Sequence, residues 1–284
     1  MPKSKSLLIV FIIYVLAFLA AGYFLQYCAD PYSIWNVFWA DVIATVIVFA
    51  GSLLFRNSSI YDPYWSVIPP AIALYLSQGI GGDFHRNVLV IGVVIFWGLR
   101  LTLNWARGWK GMAEQDWRYS QLSSQTGIWY WGVSFFGIHM MPTLLVFLGC
   151  IPLWNTLGSD APLDIVDGLA AGICFVSTVI EWVADEQLKM FKSKAKKGEN
   201  MERGLWSISR HPNYFGEIGL WFGLLVFSMG NPGFQWWEVA GYVAMLVLFI
   251  FISIPMMEKR MLASRPLYSD YQKRVPMLFP FLKI

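Results

Sequence analysis

Charged side chains are scarce in this chain, which has 18 acidic and 21 basic residues and is only 14% charged. A soluble globular chain is nearer a quarter charged. The net charge of +3 is also too small to mark a nucleic-acid-binding surface. With 57% hydrophobic residues, the composition excludes an ordinary soluble domain. It predicts an integral membrane protein that has no nucleic-acid partner.

Metal-ligating residues are also few and widely spaced. The three histidines, His85, His139 and His211, fall at different predicted levels of the membrane, so they predict no metal or haem site. The three cysteines show neither CxxC nor metal-ligand spacing. We interpret them as packed thiols, with a disulfide between Cys28 and Cys150 as the open alternative. The sequence also contains neither a P-loop nor a Rossmann dinucleotide-binding motif.

Long apolar runs, by contrast, recur along the whole chain. Each is compared with the ~20 residues that a membrane-spanning helix requires. The eight candidates cover residues 7–27, 35–55, 65–80, 88–106, 129–153, 163–184, 213–229 and 235–255. The third and the seventh are short and interrupted by proline or glycine, which is typical of a re-entrant or broken element. The runs predict a single all-α integral membrane domain over residues 1–284, a bundle of seven to eight transmembrane helices.

Basic residues set the predicted orientation of this bundle. They concentrate in the connections after the second, fourth and sixth runs and in the C-terminal tail, whereas the opposite connections hold Arg86 alone. Because positive residues favour the cytoplasmic side, both termini are predicted to be cytoplasmic. The membrane would be the inner one in a bacterium and the endoplasmic reticulum in a eukaryote. The charged segment 256–275 predicts a surface helix that is interrupted before Pro266.

Five polar clusters fall on this predicted cytoplasmic side, and the opposite loops are short and chemically plain. The clusters are YDPYW at 61–65, NWARGWKGMAEQDWRY at 104–119, EWVADEQLKMFK at 181–192, SRHPNYFGE at 209–217 and EKRMLASRPLYSDYQKR at 258–274. Because they share one side of the membrane, we expect them to converge at a cytoplasmic-side pocket.

The cluster SRHPNYFGE is the strongest candidate for a ligand-binding site. A proline at the start of a helix is ordinary, but capping does not require Arg210 and His211 before it. Asn213 and Glu217 are four residues apart and share a helix face, with Tyr214 beside them. A helix N-terminus also favours a bound anion.

Each of the other clusters has a structural and a functional interpretation. Asp116 and Arg118 form an ion pair at the membrane interface, or contact a cofactor. Asp185 belongs to a charged helix end, or accepts hydrogen bonds from a ribose or an amide. Asp62 beside Tyr64 forms an interfacial turn, or relays a proton in a partly buried site.

Taken together, these motifs resemble the DUF1295 branch of the steroid 5-alpha-reductase family. The resemblance covers most of the chain from about residue 62 to the end, which is the predicted reductase core. It is carried by GLWSISRHPNYFGE at 204–217 and supported by WGLRLTLNW at 97–105, QDWRY at 115–119, EWVADEQ at 181–187 and the ending YSDYQKRVP. The motif R-H-P-x-Y-x-G alone is shared with isoprenylcysteine and phospholipid methyltransferases.

The resemblance implies a bundle of about seven helices with a cytosolic cofactor pocket. It implies an enzyme that uses NADPH to saturate a carbon–carbon double bond conjugated to a ketone, in a lipophilic, steroid- or lipid-like substrate. The positions that match cofactor-holding residues of the family are Asp185, Asn213 and Glu217, with Arg210, His211 and Tyr214 in the shared motif and Arg274 near the phosphates.

The resemblance also implies an acid and a proton donor. The counterpart of the family's acid is Asp62, in a different local context. The position of the family's tyrosine is occupied by Trp97, so Tyr61, Tyr64 or Tyr119 is the expected donor, and Tyr64 paired with Asp62 is one arrangement.

Two other functions stay open. Methyl transfer from S-adenosylmethionine uses the same motif, but the tail has a single Glu258 where those enzymes show paired glutamates. A non-enzymatic lipid-binding membrane protein is the third possibility, which the five polar clusters disfavour. The sequence specifies neither the substrate nor the oligomeric state.

Overall fold

The computed structural model describes residues 1–196 and 198–280. Regular structure in these residues is helical throughout, with no strand, which confirms the all-α prediction. They form two compact units, an N-terminal unit, Met1–Ala161, and a C-terminal unit that begins at Pro162. The three cysteines, Cys28, Cys150 and Cys174, form no disulfide, which agrees with their interpretation as free thiols.

The N-terminal unit is built from long apolar helices joined by short capped turns. Its helices are α1 (Lys3–Gln26), α2 (Ile34–Phe55), α3 (Tyr64–Leu76), α4 (Phe84–Gly108), α5 (Trp117–Thr126), α6 (Tyr130–Val133), α7 (Met141–Cys150) and α8 (Pro152–Leu157). Ser33 and Asp83 cap α2 and α4, because their side chains accept hydrogen bonds from backbone N–H groups of the first turn. A π-helical segment, Ser134–Met140, joins α6 to α7 ahead of Pro142.

The C-terminal unit is organised around one antiparallel helix pair. Its helices are α9 (Ile165–Lys192), α10 (Pro212–Met229), α11 (Val239–Val247), α12 (Ile254–Ser264) and α13 (Tyr268–Arg274). A capping box formed by Asp164 and Asp167 starts α9. The last long helix ends at Ser264 and a new one begins at Tyr268, which confirms the predicted interruption before Pro266.

Glycines of α10 let its backbone lie directly against α9. A Cβ at Gly216 would lie 2.5 Å from the carbonyl oxygen of Ser177 and 2.8 Å from Cβ of Glu181. A Cβ at Gly223 would lie 2.4 Å from Sγ of Cys174. Small residues therefore set the register of this pair, as is common between membrane helices.

Six helical segments within residues 1–196 and 198–280 are long and apolar enough to cross a membrane. They are Lys3–Gln26, Ile34–Phe55, Phe84–Gly108, Trp117–Leu157, Ile165–Lys192 and Trp236–Ser264. The helices α3 and α10, both predicted to be short, fall outside this set. They have 13 and 18 residues, which is about 20 and 27 Å at 1.5 Å per residue. The segments are consistent with a multi-pass protein among membrane lipids, and the total of seven to eight spans stays a prediction.

Candidate functional sites

The turn between α2 and α3 is a buried centre of hydrogen bonding in the N-terminal unit. The side-chain amide of Asn57 donates to the carbonyl oxygens of Met112 and Glu114 at 3.0 and 2.9 Å. The backbone N–H of Asp116 donates to Oγ of Ser59 at 2.9 Å. These bonds hold the loop before α5 against the turn before α3, so two of the five predicted polar clusters do converge.

Asp62 lies in this turn and is joined to the first turn of α5. The hydroxyl of Tyr119 donates to Oδ1 of Asp62 at 2.6 Å. Asp116 caps α5 by accepting from the backbone N–H of Arg118 at 2.8 Å, which fixes the start of the helix and with it the position of Tyr119. Asp116 also binds the guanidinium of Arg118, at 2.8 Å from Nε and 3.1 Å from Nη2.

Burial in this turn raises the pKa of Asp62 to about 6. The hydrogen bond from Tyr119 and the positive charge of Arg118 act in the opposite direction, because both favour the carboxylate. The result is a carboxyl group that changes protonation state near neutral pH while bonded to a phenol.

The suggested pairing of Tyr64 with Asp62 is not formed. The hydroxyl of Tyr64 donates instead to Oδ1 of Asp41, at 2.7 Å. Both side chains are buried, with Asp41 4% and Tyr64 1% exposed. Sequence reasoning missed Asp41 because it lies within the apolar run 35–55. The available signal was a lone acid inside a predicted span, which is by itself a functional candidate.

In the C-terminal unit, Arg210 is the centre of a buried ionic network. Its Nε lies 2.6 Å and its Nη2 lies 3.4 Å from the carboxylate of Glu258. Its Nη1 donates to the carbonyl oxygens of Gln272 and Val275 at 3.0 and 2.6 Å. Four of the five N–H donors of the guanidinium are therefore used within the chain, and the motif is tied to the C-terminal helices.

His211 and Tyr214 extend this network. The Nε2 of His211 lies 3.1 Å from Oε1 of Glu258, and the imidazole stacks on the ring of Tyr214 with centroids 5.5 Å apart. Burial lowers the pKa of His211, although Glu258 acts in the opposite direction. The neutral imidazole then donates from Nε2 to the carboxylate.

The three C-terminal polar clusters converge within their unit. The hydroxyl of Tyr271 on α13 donates to the carbonyl oxygen of Trp206 at 2.5 Å. The indole N–H of Trp206 in turn donates to the carbonyl oxygen of Ala184 on α9 at 3.0 Å. Together with the contacts of Arg210, these bonds link α9, the segment before α10 and the C-terminal helices.

The residues expected to hold a cofactor lie on the facing ends of α9 and α10. Glu217 is 2% exposed and accepts from the indole N–H of Trp221 at 3.0 Å. The Oδ1 atom of Asn213 is buried and has no hydrogen-bond partner among the residues that the structure describes. Gly216 packs on Glu181, and Asp185 lies one turn further along α9. Because the two helices are antiparallel, Asp185 lies level with the start of α10.

Arg274, expected near phosphates, is paired within the chain. Its Nη2 lies 2.7 Å from Oε2 of Glu202, and its side chain is 61% exposed. A cavity of about 1140 Å³ lies nearby, and its lining includes Lys194, Lys196 and Arg203. None of the site residues predicted from the sequence lines this cavity.

These features define a multi-pass, all-α membrane protein with polar sites buried among its helices. The chain matches the family described as protein of unknown function, DUF1295, over residues 48–275, and it belongs to this family. This confirms the resemblance to DUF1295 that the motifs indicated. An uncharacterized protein of Schizosaccharomyces pombe is 24% identical over 275 residues, which covers 87% of this chain and 76% of the relative. No solved structure matches the chain.

Proposed function

We propose that this protein is a membrane reductase that uses NADPH to saturate a carbon–carbon double bond conjugated to a ketone in a lipophilic substrate. The observation that carries the proposal is the 2.6 Å hydrogen bond between Tyr119 and Asp62, together with the pKa of about 6 for Asp62. Reduction of an enone needs a proton donor at the ketone oxygen, where negative charge develops. A phenol backed by a carboxyl group that titrates near neutral pH is suited to this role.

The protonation state of Asp62 decides what Tyr119 can donate to. When Asp62 is ionised, the single O–H of Tyr119 donates its hydrogen bond to the carboxylate and cannot donate to a substrate. When Asp62 is protonated, its own O–H donates to the phenol oxygen, and the Tyr119 O–H is free to donate to the ketone of a substrate. As Tyr119 gives its proton to the ketone oxygen, Asp62 gives its proton to Tyr119. Asp62 then regains a proton from water.

The residues that would hold NADPH, which supplies a hydride when bound, are Asp185, Asn213 and Glu217. The buried Oδ1 atom of Asn213 fits such a ligand, because a carboxamide N–H or a ribose hydroxyl would satisfy it. The exposed guanidinium of Arg274 and two basic residues that line the cavity beside Glu202, Lys194 and Arg203, offer positive charge for phosphate groups.

The test is a titration of the full-length protein, purified in detergent, with NADPH and separately with S-adenosylmethionine. A ligand that binds only the native state raises the apparent unfolding midpoint. We expect NADPH to raise it and S-adenosylmethionine to leave it unchanged. Stabilisation by S-adenosylmethionine alone would replace the proposal with a membrane methyltransferase, and no response to either would favour a non-enzymatic lipid-binding protein.

A further inference from the structure

A second acid–phenol pair lies in the N-terminal unit, and the proposed reduction does not use it. The hydroxyl of Tyr64 donates a hydrogen bond to Oδ1 of Asp41. The other carboxyl oxygen, Oδ2, is buried and has no hydrogen-bond partner among residues 1–196 and 198–280. A buried acceptor without a partner destabilises the folded protein. Because native proteins rarely leave such an atom unpaired, its partner is expected to come from another molecule.

Asp41 lines an apolar cavity of about 250 Å³ between α1, α2 and α3. Five lining residues are alanine or glycine and leave room for a ligand, namely Ala21, Gly22, Ala40, Ala44 and Ala71. A cavity of about 150 Å³ takes up benzene, so this volume accommodates roughly ten non-hydrogen atoms. The cavity therefore fits one short apolar chain, or the end of a longer one.

The cavity opens at Gly22. This residue lines the cavity and is exposed, and a Cβ built on it would meet no atom within 4 Å. Because α1 is long and apolar enough to cross a membrane, the opening on it is accessible to a molecule that is dissolved in lipid.

We propose that this cavity binds a membrane-soluble alcohol, with the hydroxyl group on Oδ2 of Asp41 and the hydrocarbon along the alanine walls. A hydroxyl both donates and accepts, so it pairs with Oδ2 whether the carboxyl group is ionised or protonated, whereas a ketone can only accept. An ammonium group brings three N–H donors, but among the residues that the structure describes only Asp41 and Tyr75 line the cavity with a polar side chain. The site stands on the geometry of the N-terminal unit and does not depend on the reductase activity.

The experiment uses the full-length protein in lipid nanodiscs and a ten-carbon alcohol that carries a diazirine in the chain and a terminal alkyne. After irradiation, we expect mass spectrometry to find the label in peptides of α1, α2 and α3. Decan-1-ol should compete at concentrations about tenfold lower than decane or decylamine, since one buried hydrogen bond contributes about that factor.

Two matched substitutions locate the site. Gly22→Leu should fill the opening and reduce labelling about tenfold, a loss corresponding to about 1.4 kcal/mol. Gly92→Leu, on α4, is the control, because Gly92 is also an exposed helical glycine with no atom within 4 Å of a built Cβ and it lies outside the lining. Neither variant should unfold at a lower midpoint than the parent protein, because both remove an exposed helical glycine with open space around its Cβ.

Several results would overturn the assignment. Equal labelling of Gly22→Leu and Gly92→Leu would place the probe elsewhere, and decane that competes as well as decan-1-ol would exclude recognition of the hydroxyl. Stronger competition by decylamine would assign a cation site instead. If Gly22→Leu lowers the unfolding midpoint, the parent protein provides the test. The concentrations at which decan-1-ol and decane compete with the label then show whether the hydroxyl is recognised.

Discussion

Tyr119 donates a 2.6 Å hydrogen bond to Asp62 and so joins the first turn of α5 to the turn before α3. The two residues are 57 positions apart, and the loop that precedes α5 brings them together through its bonds to Asn57 and Ser59. Because of this contact, the protonation state of Asp62 decides whether the hydroxyl of Tyr119 can donate to another molecule. The first two predictions follow from this relationship.

The first prediction concerns the pH dependence of stability. The pKa of Asp62 is raised from 3.8 to about 6 in the folded protein. Between these values the folded state binds more protons than the unfolded state, so the free energy of unfolding should fall as pH rises through this window. Asp62→Asn should remove this part of the pH dependence. Denaturant titrations between pH 4 and 7 measure it, and an unchanged slope in the variant would assign the effect to other groups.

The second prediction concerns the proton donor. Tyr119→Phe should reduce the rate of enone reduction by about 10²–10⁴, the usual contribution of a general acid. Activity of the parent protein should fall as pH rises through about 6, because ionised Asp62 takes up the hydroxyl of Tyr119. Stopped-flow loss of NADPH absorbance is the measurement. Tyr23→Phe, at an exposed position of α1, is the control and should keep full activity.

The third prediction concerns the buried ion pair of the C-terminal unit. Glu258→Gln should destabilise the protein by ~3–5 kcal/mol, because it leaves the charge of Arg210 buried without its partner. Glu202→Gln removes the partner of the exposed Arg274 and should cost ~0–1 kcal/mol. Chemical unfolding of both variants compares them. Equal losses would mean that the Arg210–Glu258 pair is not a structural link.

The fourth prediction concerns the close packing of α9 and α10. Gly216→Ala should destabilise the protein by ~1–3 kcal/mol, since its Cβ would overlap the backbone of Ser177 and force the helices apart. Gly172→Ala, on α9 with no atom within 4 Å of the new Cβ, should instead stabilise the helix by roughly 0.5–1 kcal/mol. Thermal unfolding distinguishes the two. A neutral Gly216→Ala would show that the helix pair can separate freely.

The positions of the helices could be predicted because apolar runs of membrane length are a strong signal. Each of the eight runs coincides with helical structure, including the short α3 and α10. Pro266 also indicated correctly where the C-terminal segment breaks. These features depend on local composition and on the backbone limits of proline.

The pairing of polar side chains could not be predicted in the same way. Arg210 is neutralised by Glu258, 48 residues further along the chain, and only the packing of three helices brings the two together. Asp62 and Tyr64 are neighbours in sequence but bind Tyr119 and Asp41, respectively. The residue types of the site were therefore predictable, but the partners depend on tertiary structure.

We propose that α9 and α10 hold NADPH, and the most direct test is the dissociation constant of NADPH, measured for three forms of the protein. Asn213→Ala removes a buried Oδ1 that has no hydrogen-bond partner among the described residues, and it should weaken NADPH binding about tenfold, the loss of about one hydrogen bond. Asn231→Ala removes an Oδ1 that is equally buried and equally without a partner in the described part of the chain. Because Asn231 lies beyond the far end of α10, this variant should bind as the parent does. Intrinsic tryptophan fluorescence during titration gives all three constants. Tight binding to the parent with this loss in Asn213→Ala alone is the predicted result, and normal binding by Asn213→Ala would contradict it.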